Sequence, residues 1–270
     1  MTESIAEISK NQKIIFNNEF IDKIIVDIEA ANNLEIKSSL KDLHAADIAE
    51  LLEFLSTNQR TYLLNQLDSE DYTDVLAELD DSIIDQTVNS LQHEKVAKSI
   101  SDMETDDAVG LIESLEPDTQ KKILDKVSAE DREIFNESLN YPEDTAGRRM
   151  QKEIVSMPSF WTVGQAIDYL RDEEELPEDF FELFIVDPNN KPLGSVSVSK
   201  VLRSNRKIRL NDITIESPIF IPADMDQEEA AMTFEKYSLV SAGVVDKNGR
   251  LIGRLTADDI MWVLQEEAEE

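Results

Sequence analysis

The feature that most constrains the fold is an apolar residue that recurs every 12 positions through the first half of the chain. Two interleaved series, each with a spacing of 24 residues, make this pattern: Leu43, Leu67, Leu91, Leu115 and Leu139, and Leu55, Leu79, Met103 and Val127. Most of them precede a polar cluster of the kind that caps helices, such as Ser56-Thr57-Asn58. Twelve residues fit one short helix and its turn, and pairs of such helices bury their apolar faces only by stacking. We therefore expect an all-α superhelical repeat domain over residues 36–140, preceded by a helical segment over 1–35. Within it we expect four of the recurring leucines to be buried: Leu43, Leu67, Leu91 and Leu115.

The composition changes at Tyr141, where proline and glycine become frequent and short β-branched runs alternate with helical segments. The ten residues from 185 to 194 align without gaps, 59 positions further on, with residues 244–253. Each copy is expected to form a strand ending in Asp, a turn, a second strand and a helix, with another helix before it. The second turn contains Asn248-Gly249, which favours a two-residue turn with positive φ at both positions. The pattern predicts two copies of one α/β unit, over residues 141–208 and 209–270.

The charge of the chain limits the classes of function. Fifty-eight acidic and 26 basic residues give a formal net charge of -32, which repels nucleic acid and anionic membranes, so no nucleic-acid partner is expected. Hard divalent cations that bind carboxylates would explain such a charge, and so would a solvated acidic surface. The chain has no cysteine and two histidines, so a thiolate or histidine metal centre is not expected. We find no phosphate-binding loop and no nucleophile–base pair, and do not expect an enzyme.

Two motifs carry a resemblance to a known family. The repeated unit, with two apolar residues and an Asp, a turn, and a glycine before the last strand, resembles a CBS module. An acidic helical repeat domain joined by Glu143-Asp144-Thr145-Ala146-Gly147-x-x-Met150 to a tandem CBS pair resembles the cytosolic region of MgtE-family magnesium channels. The segment from Asp224 to Glu229 is a second specific match. The resemblance extends from about residue 36 to residue 270.

The resemblance implies a magnesium-sensing regulatory region that closes on magnesium binding and inhibits ion entry through a channel. It places the chain at the cytoplasmic face of the membrane, as a soluble part of a protein whose transmembrane pore domain follows. It also implies a homodimer formed through the CBS modules, with apolar residues of the last helix as contact surface: Ile260, Met261, Trp262 and Leu264. The competing interpretation is a CBS-type regulatory protein that responds to adenine nucleotides and has no channel.

The resemblance places magnesium ligands at six acidic positions, in the helical domain and in the second CBS module: Asp74, Asp106, Asp226, Glu228, Asp259 and Glu267. Most of these positions also suit an acid that binds no metal. Asp106 and Asp226 stand where helix caps are expected, Asp74 lies on a polar helix face, and Glu267 belongs to a C-terminal acidic run. Asp259 is more informative, because the first CBS copy has Lys200 at the equivalent position and the fold therefore does not require an acid there.

Some positions depart from the family pattern. Gly110, Ser238 and Trp262 stand where the family carries acids, which leaves the number of magnesium sites open. ATP is a second candidate ligand, since Thr256-Ala257-Asp258-Asp259 has the spacing with which CBS modules hold a ribose. The first copy lacks the acid of this signature, and helix capping by Thr256 explains the residues equally well.

Overall fold

The computed structural model describes residues 17–173, 176–177, 179–216, 218–261 and 263. Its fold class is the one predicted: helices alone in the described residues up to Leu139, and then helices with strands. The chain divides into two compact units, residues 1–103 with 110–132, and residues 104–109 with 133–270. The helices up to Leu139 are α1 (Asn18–Glu29), α2 (Asn33–Leu40), α3 (Ala45–Glu53), α4 (Thr57–Leu64), α5 (Ser69–Ala77), α6 (Asp81–Ser90), α7 (His93–Asp102), α8 (Thr105–Glu113), α9 (Pro117–Leu124) and α10 (Ala129–Leu139).

The recurring apolar residues lie where helices end. Leu55 follows α3, Leu79 follows α5, and Leu91 follows α6 directly, so each 12-residue period is one helix and its turn. Leu91 and Leu115 are buried, as predicted. Leu43 and Leu67 were predicted to be buried and are only half-buried. All four residues lie where a helix ends, so position in the repeat does not by itself decide burial.

The first unit is held together by contacts between helices of successive repeats. Helix α5 packs against α3 and α7, and α6 packs against α4. Polar side chains about 30 positions apart add hydrogen bonds between repeats: Thr61 with Ser90 at 2.6 Å, Asn89 with Thr119 at 2.8 Å, and Ser101 with Asp131 at 2.7 Å. Because these contacts join neighbouring repeats, the unit has the stacked organisation that the 24-residue period predicts.

The second unit contains two sheets, one from each of the two α/β units predicted over residues 141–208 and 209–270. Because these units resemble CBS modules, they are called the first and second CBS copy. The first sheet has the strand order β1-β2-β3-β4 and the second has the order β5-β6-β7. In each copy a parallel strand pair is followed by an antiparallel hairpin. The elements are α11 (Ala146–Arg149), β1 (Ser156–Pro158), α12 (Val163–Asp172), β2 (Glu182–Val186), β3 (Pro192–Ser197), α13 (Val198–Arg203), a 3-10 helix (Leu210–Asp212), β4 (Ile215–Glu216), β5 (Phe220–Pro222), α14 (Gln227–Tyr237), β6 (Ser241–Val245) and β7 (Leu251–Thr256). Residues 257–261 are again helical.

The hairpin turns differ from the two-residue turn that Asn248-Gly249 predicts. Only the last residue of each turn has positive φ, Asn190 at 60° and Gly249 at 73°. In the second hairpin, the backbone N–H of Asp246 donates to the carbonyl of Arg250, and the Asp246 carboxylate accepts from the N–H groups of Asn248 and Arg250. The expected turn type was wrong, because this Asp holds a longer turn with a single left-handed residue.

The segment after Tyr141 packs on the second CBS copy. The N–H groups of Ala146 and Gly147 donate to the carbonyls of Met225 and Ala223, both at 2.9 Å. Further on, Gln151 and Arg254 exchange backbone hydrogen bonds of 2.8 and 2.9 Å, so that residue 151 pairs with β7. The linking motif therefore forms part of the second CBS module.

The last described helical residues correct one expectation. Ile260 was predicted to offer apolar surface to a second copy of the chain, but it is buried in the core of the second CBS module. It packs there with residues such as Val244 and Leu255. Met261 is 61% exposed. Trp262 and Leu264, the other residues of that predicted surface, lie outside the described residues.

Candidate cation site

The first turn of α8 contributes the N-terminal half of the site. Residues 104–109, where α8 begins, belong to the second compact unit. The backbone N–H of Thr105 donates to Glu153 Oε2 at 3.3 Å, and its hydroxyl donates to Glu153 Oε1 at 2.7 Å. The cap of this helix is therefore a carboxylate from the segment before β1, and the interpretation of Asp106 as the cap is wrong.

Asp259 lies just after the last strand of the second CBS copy. Its Oδ2 accepts hydrogen bonds from the backbone N–H of Thr256 at 2.7 Å and from the Thr256 hydroxyl at 2.9 Å. These two bonds fix the direction of the carboxyl group. Its other oxygen, Oδ1, lies 3.4 Å from the side-chain amide nitrogen of Gln151.

The structure brings Asp106 and Asp259 together. Their carboxyl groups lie within hydrogen-bonding reach of each other, and the Gln151 amide that contacts Asp259 also lies 3.4 Å from Asp106 Oδ2. Asp106 Oδ1 is buried and receives no hydrogen bond from any described residue. Burial raises the pKa of Asp106 well above its usual range, and the negative charges of Asp259 and Asp107 raise it further. Two such carboxyl groups hold one proton between them, unless a cation replaces it.

Other charged side chains surround this pair. Burial raises the pKa of Glu104, the nearby Arg254 guanidinium lowers it, and the carboxylates of Glu153, Asp259 and Asp258 raise it. Arg254 is buried and donates to Glu104 Oε1 at 3.2 Å. Its Nε also donates to Gln151 Oε1 at 2.7 Å, which turns the amide nitrogen of Gln151 toward the two carboxyl groups.

The donor set fits a hard divalent cation. Asp106 and Asp259 supply carboxylate oxygens, one of them buried without a hydrogen-bond donor among the described residues. Mg²⁺ takes oxygen ligands and keeps several waters, so one or two carboxylates suffice to hold it. Among the described residues there is no group of three or more His, Cys, Asp or Glu side chains arranged to hold a metal. A cation bound here would therefore complete its coordination shell with water or with backbone oxygens.

The structure describes three of the four other predicted ligands. Asp74 is exposed on α5, where its charge contributes to the raised pKa of Glu78. Asp226 caps α14, accepting from the backbone N–H of Glu228 at 2.9 Å, and both side chains are exposed. Glu267 lies outside the described residues.

Three residues of the site were not predicted: Gln151, Glu153 and Arg254. Gln151 directly follows the linking motif, and Glu153 lies in a segment with no sequence pattern of its own. The repeat gave a signal for Arg254, because the equivalent residue of the first copy is a different type, Ser195. The alignment of the two copies at an offset of 59 residues shows this change from serine to arginine. It does not show the acidic partner of the arginine, Glu104, which only the fold brings close.

Comparison with known families identifies both halves of the chain. Residues 43–144 match the MgtE intracellular N domain, and residues 146–207 and 210–266 match the CBS domain. The magnesium transporter MgtE of Bacillus subtilis (strain 168) is 32% identical over 132 residues. The chain is homologous to the MgtE magnesium transporters. That match takes in 49% of the chain and 29% of the B. subtilis MgtE, so the chain matches less than a third of its relative's length.

Solved structures agree with this assignment to MgtE. The soluble part of a magnesium transporter matches 93% of the chain and 98% of its own length, with 25% identity and a TM-score of 0.82. The cytosolic domain of the Mg²⁺ channel MgtE in complex with ATP matches 90% and 99%, with 22% identity and a TM-score of 0.84. The fold is thus that of the MgtE cytosolic domain. No helix in the described residues is long and apolar enough to cross a membrane.

Proposed function

We propose that this chain is the magnesium-sensing regulatory region of an MgtE-type channel, at the cytoplasmic face of the membrane. Magnesium binds there and favours a closed arrangement that inhibits magnesium entry. The observation that carries the proposal is the contact between Asp106 and Asp259, two carboxyl groups with a single shared amide donor and one buried oxygen without any described donor.

The electrostatics of the pair supply the sensing mechanism. When both carboxyl groups are ionised at a separation of about 4 Å, their repulsion is roughly 4 kcal/mol at an effective dielectric constant near 20. A divalent cation between them replaces the repulsion by attraction. Magnesium therefore shifts the population toward the arrangement in which residues 104–109 lie against the second CBS module. Without magnesium, the pair either shares a proton or separates so that both carboxyl groups ionise.

The remaining predicted ligands have a secondary place in the proposal. Asp74, Asp226, Glu228 and Glu267 are proposed to bind further cations in the assembled protein, where a second copy of the chain supplies neighbouring groups. The full-length protein is proposed to be a homodimer with a transmembrane pore domain. The homology to MgtE and the net charge of -32 support these parts of the proposal.

ATP is a second candidate ligand, because a structure of the same fold was solved in complex with ATP. The alternative function that follows is an adenine-nucleotide-responsive CBS protein without a channel. Asp259, the acid that would hold the ribose, already accepts two hydrogen bonds from Thr256 and lies against Asp106. Nucleotide binding in the second CBS copy would therefore compete with the carboxyl pair for Asp259.

Small-angle scattering distinguishes these proposals. The radius of gyration is measured during titration with MgCl2, and again with NaCl at matched ionic strength, because screening alone compacts a highly charged chain. A sensor becomes more compact in magnesium than in sodium. Equal compaction in both salts would refute the sensor, and compaction only with ATP would favour the nucleotide-responsive alternative.

A further inference from the structure

Arg254 is a buried cation within the acidic site. It lies in β7 with 5% of its surface exposed, and its guanidinium donates to three acceptors. These are Glu104 Oε1 at 3.2 Å, Gln151 Oε1 at 2.7 Å and the carbonyl of Asp179 at 3.0 Å. A guanidinium with partners in three directions is held in one orientation, which is why Arg suits buried ion pairs better than Lys does.

The CBS framework does not require an arginine at this position. The equivalent residue of the first copy is Ser195, whose hydroxyl lies 3.4 Å from Glu182 in the neighbouring strand. The strand pairing is the same in both copies, since Ser195 lies opposite Phe184 and Arg254 lies opposite Gly243. The arginine therefore serves acceptors that only the second copy contacts, and Glu104 is the acidic side chain among them.

Glu104 immediately precedes α8, so its ion pair fixes the position of the helix start. The next residue, Thr105, is held by Glu153 through its backbone N–H and its hydroxyl. Residues 104–109 thus have two anchors made entirely by protein groups. Both lie beside Asp106, whose carboxyl group faces Asp259.

We propose that Arg254 is a built-in counter-cation that holds residues 104–109 against the second CBS module before magnesium binds. Part of the attraction that a divalent cation would provide is supplied by the protein itself. Magnesium then strengthens an arrangement that already exists. It therefore changes the population of that arrangement by less than it would at a site held by the metal alone. Only this last consequence rests on the proposed sensing function; the anchoring does not.

Hydrogen exchange of the amides of residues 104–109 tests the proposal, with the whole chain in magnesium-free buffer. Loss of a charge-assisted hydrogen bond should speed their exchange roughly tenfold in Arg254→Met. Arg254→Lys, which keeps the charge but not the fork of donors, should lie between Arg254→Met and the unsubstituted protein. Arg250→Met, at an exposed position in the adjacent turn, is the matched control and should leave the exchange unchanged. Magnesium should restore protection in Arg254→Met and thus add more protection there than in the unsubstituted chain.

A second variant separates anchoring from a general loss of stability. Glu104→Gln removes the acidic partner and leaves the other two acceptors of Arg254 in place. It should speed exchange at 104–109 while β6 and β7 stay protected, and combining it with Arg254→Met should add little, because both break one interaction. Unchanged metal-free exchange at 104–109 in Glu104→Gln would overturn the proposal. Both variants could speed the exchange of residues 104–109 while magnesium slows it in none of the proteins. That result would support the anchoring by Arg254 and refute the proposed sensing function.

Discussion

The carboxyl groups of Asp106 and Asp259 lie within hydrogen-bonding reach of each other and share one donor, the Gln151 amide, at 3.4 Å from each. Asp106 comes from a helical repeat and Asp259 from a CBS module. Their contact therefore forms only when residues 104–109 lie against β7 and the helical residues after it. The ionisation and cation occupancy of the pair therefore act directly on that arrangement, which is the basis of the predictions that follow.

Replacing the shared donor should make the site more dependent on magnesium. Gln151→Glu has almost the same shape, but it removes the hydrogen bonds to both carboxyl groups and adds a third negative charge. We expect the metal-free protein to lose about 1–3 kcal/mol of unfolding free energy, the cost of leaving buried groups unpaired. Magnesium should recover more of this stability than it adds to the unsubstituted chain. Denaturant titrations with and without MgCl2 measure both effects, with Gln92→Glu, at an exposed position before α7, as the control. Equal metal-free stability of the two variants would contradict the prediction.

Two glycine substitutions should have opposite effects. A Cβ at Gly253 would lie 2.7 Å from the carbonyl oxygen of Gln151 and 2.7 Å from the sulfur of Met150, so Gly253→Ala should cost about 1–3 kcal/mol. Gly110 lies inside α8 with open space around it, and Gly110→Ala should add about 0.5–1 kcal/mol through helix propensity. Chemical denaturation of both variants checks this. A stable Gly253→Ala protein would show that residues 150–151 do not pack against β7 as described.

A half-buried carboxyl group in the first CBS copy predicts a pH dependence. Burial raises the pKa of Glu182, and its hydrogen bonds from the Ser241 and Ser195 hydroxyls, at 3.3 and 3.4 Å, only partly offset this. Since the folded state holds this proton more tightly than the unfolded chain does, stability falls as pH rises from the usual range of Glu through the raised pKa. Glu182→Gln should remove that fall and raise the melting temperature at neutral pH.

The control for this experiment is Glu229→Gln, which changes an exposed residue of α14. Melting temperatures of the three proteins are compared from pH 4 to pH 8. This range begins close to the ordinary pKa of Glu, about 4.3, and extends above it. Parallel pH profiles for Glu182→Gln and the unsubstituted chain would show that Glu182 does not hold its proton on folding.

The proposed homodimer predicts an effect of one exposed residue. Met261, at 61% exposure, is the residue of the predicted dimer surface that the structure describes as exposed. Met261→Glu should shift the sedimentation profile toward monomer, because a charge would be buried in the interface. Leu34→Glu, at a position 83% exposed on α2, should leave the profile unchanged. A monomer at every protein concentration, with and without magnesium, would refute the dimer.

The sequence predicted the fold well because each signal was periodic. The 12-residue spacing located the helical turns, and the repeat at an offset of 59 residues located two equivalent sheets. Turn geometry was harder, since Asn248-Gly249 suits a two-residue turn but Asp246 accepts two backbone N–H groups and holds a longer one. Partial burial of Leu43 likewise depends on how many neighbours a turn has, which a spacing does not encode.

The candidate site was less predictable, because its contacts join distant parts of the chain. Asp259 stood out against Lys200 in the aligned repeat, and the resemblance to MgtE pointed to Asp106. Nothing in the sequence placed Gln151 between them, or Arg254 against Glu104, since these contacts arise when residues 104–109 and 151 both pack beside β7. Asp226 illustrates the opposite case, an acid whose capping role was visible from its position before α14.

Isothermal calorimetry of magnesium binding, at constant ionic strength, tests the central claim that Asp106 and Asp259 hold the cation. The unsubstituted chain is compared with Asp106→Asn, Asp259→Asn and two controls. Glu235→Gln changes an exposed acid of α14, and Asp118→Asn changes an exposed acid of α9. We predict that each of the first two variants weakens binding about tenfold or more, that both gain metal-free stability, and that the controls bind magnesium as the unsubstituted chain does. Unchanged magnesium binding in Asp106→Asn and Asp259→Asn would contradict the account.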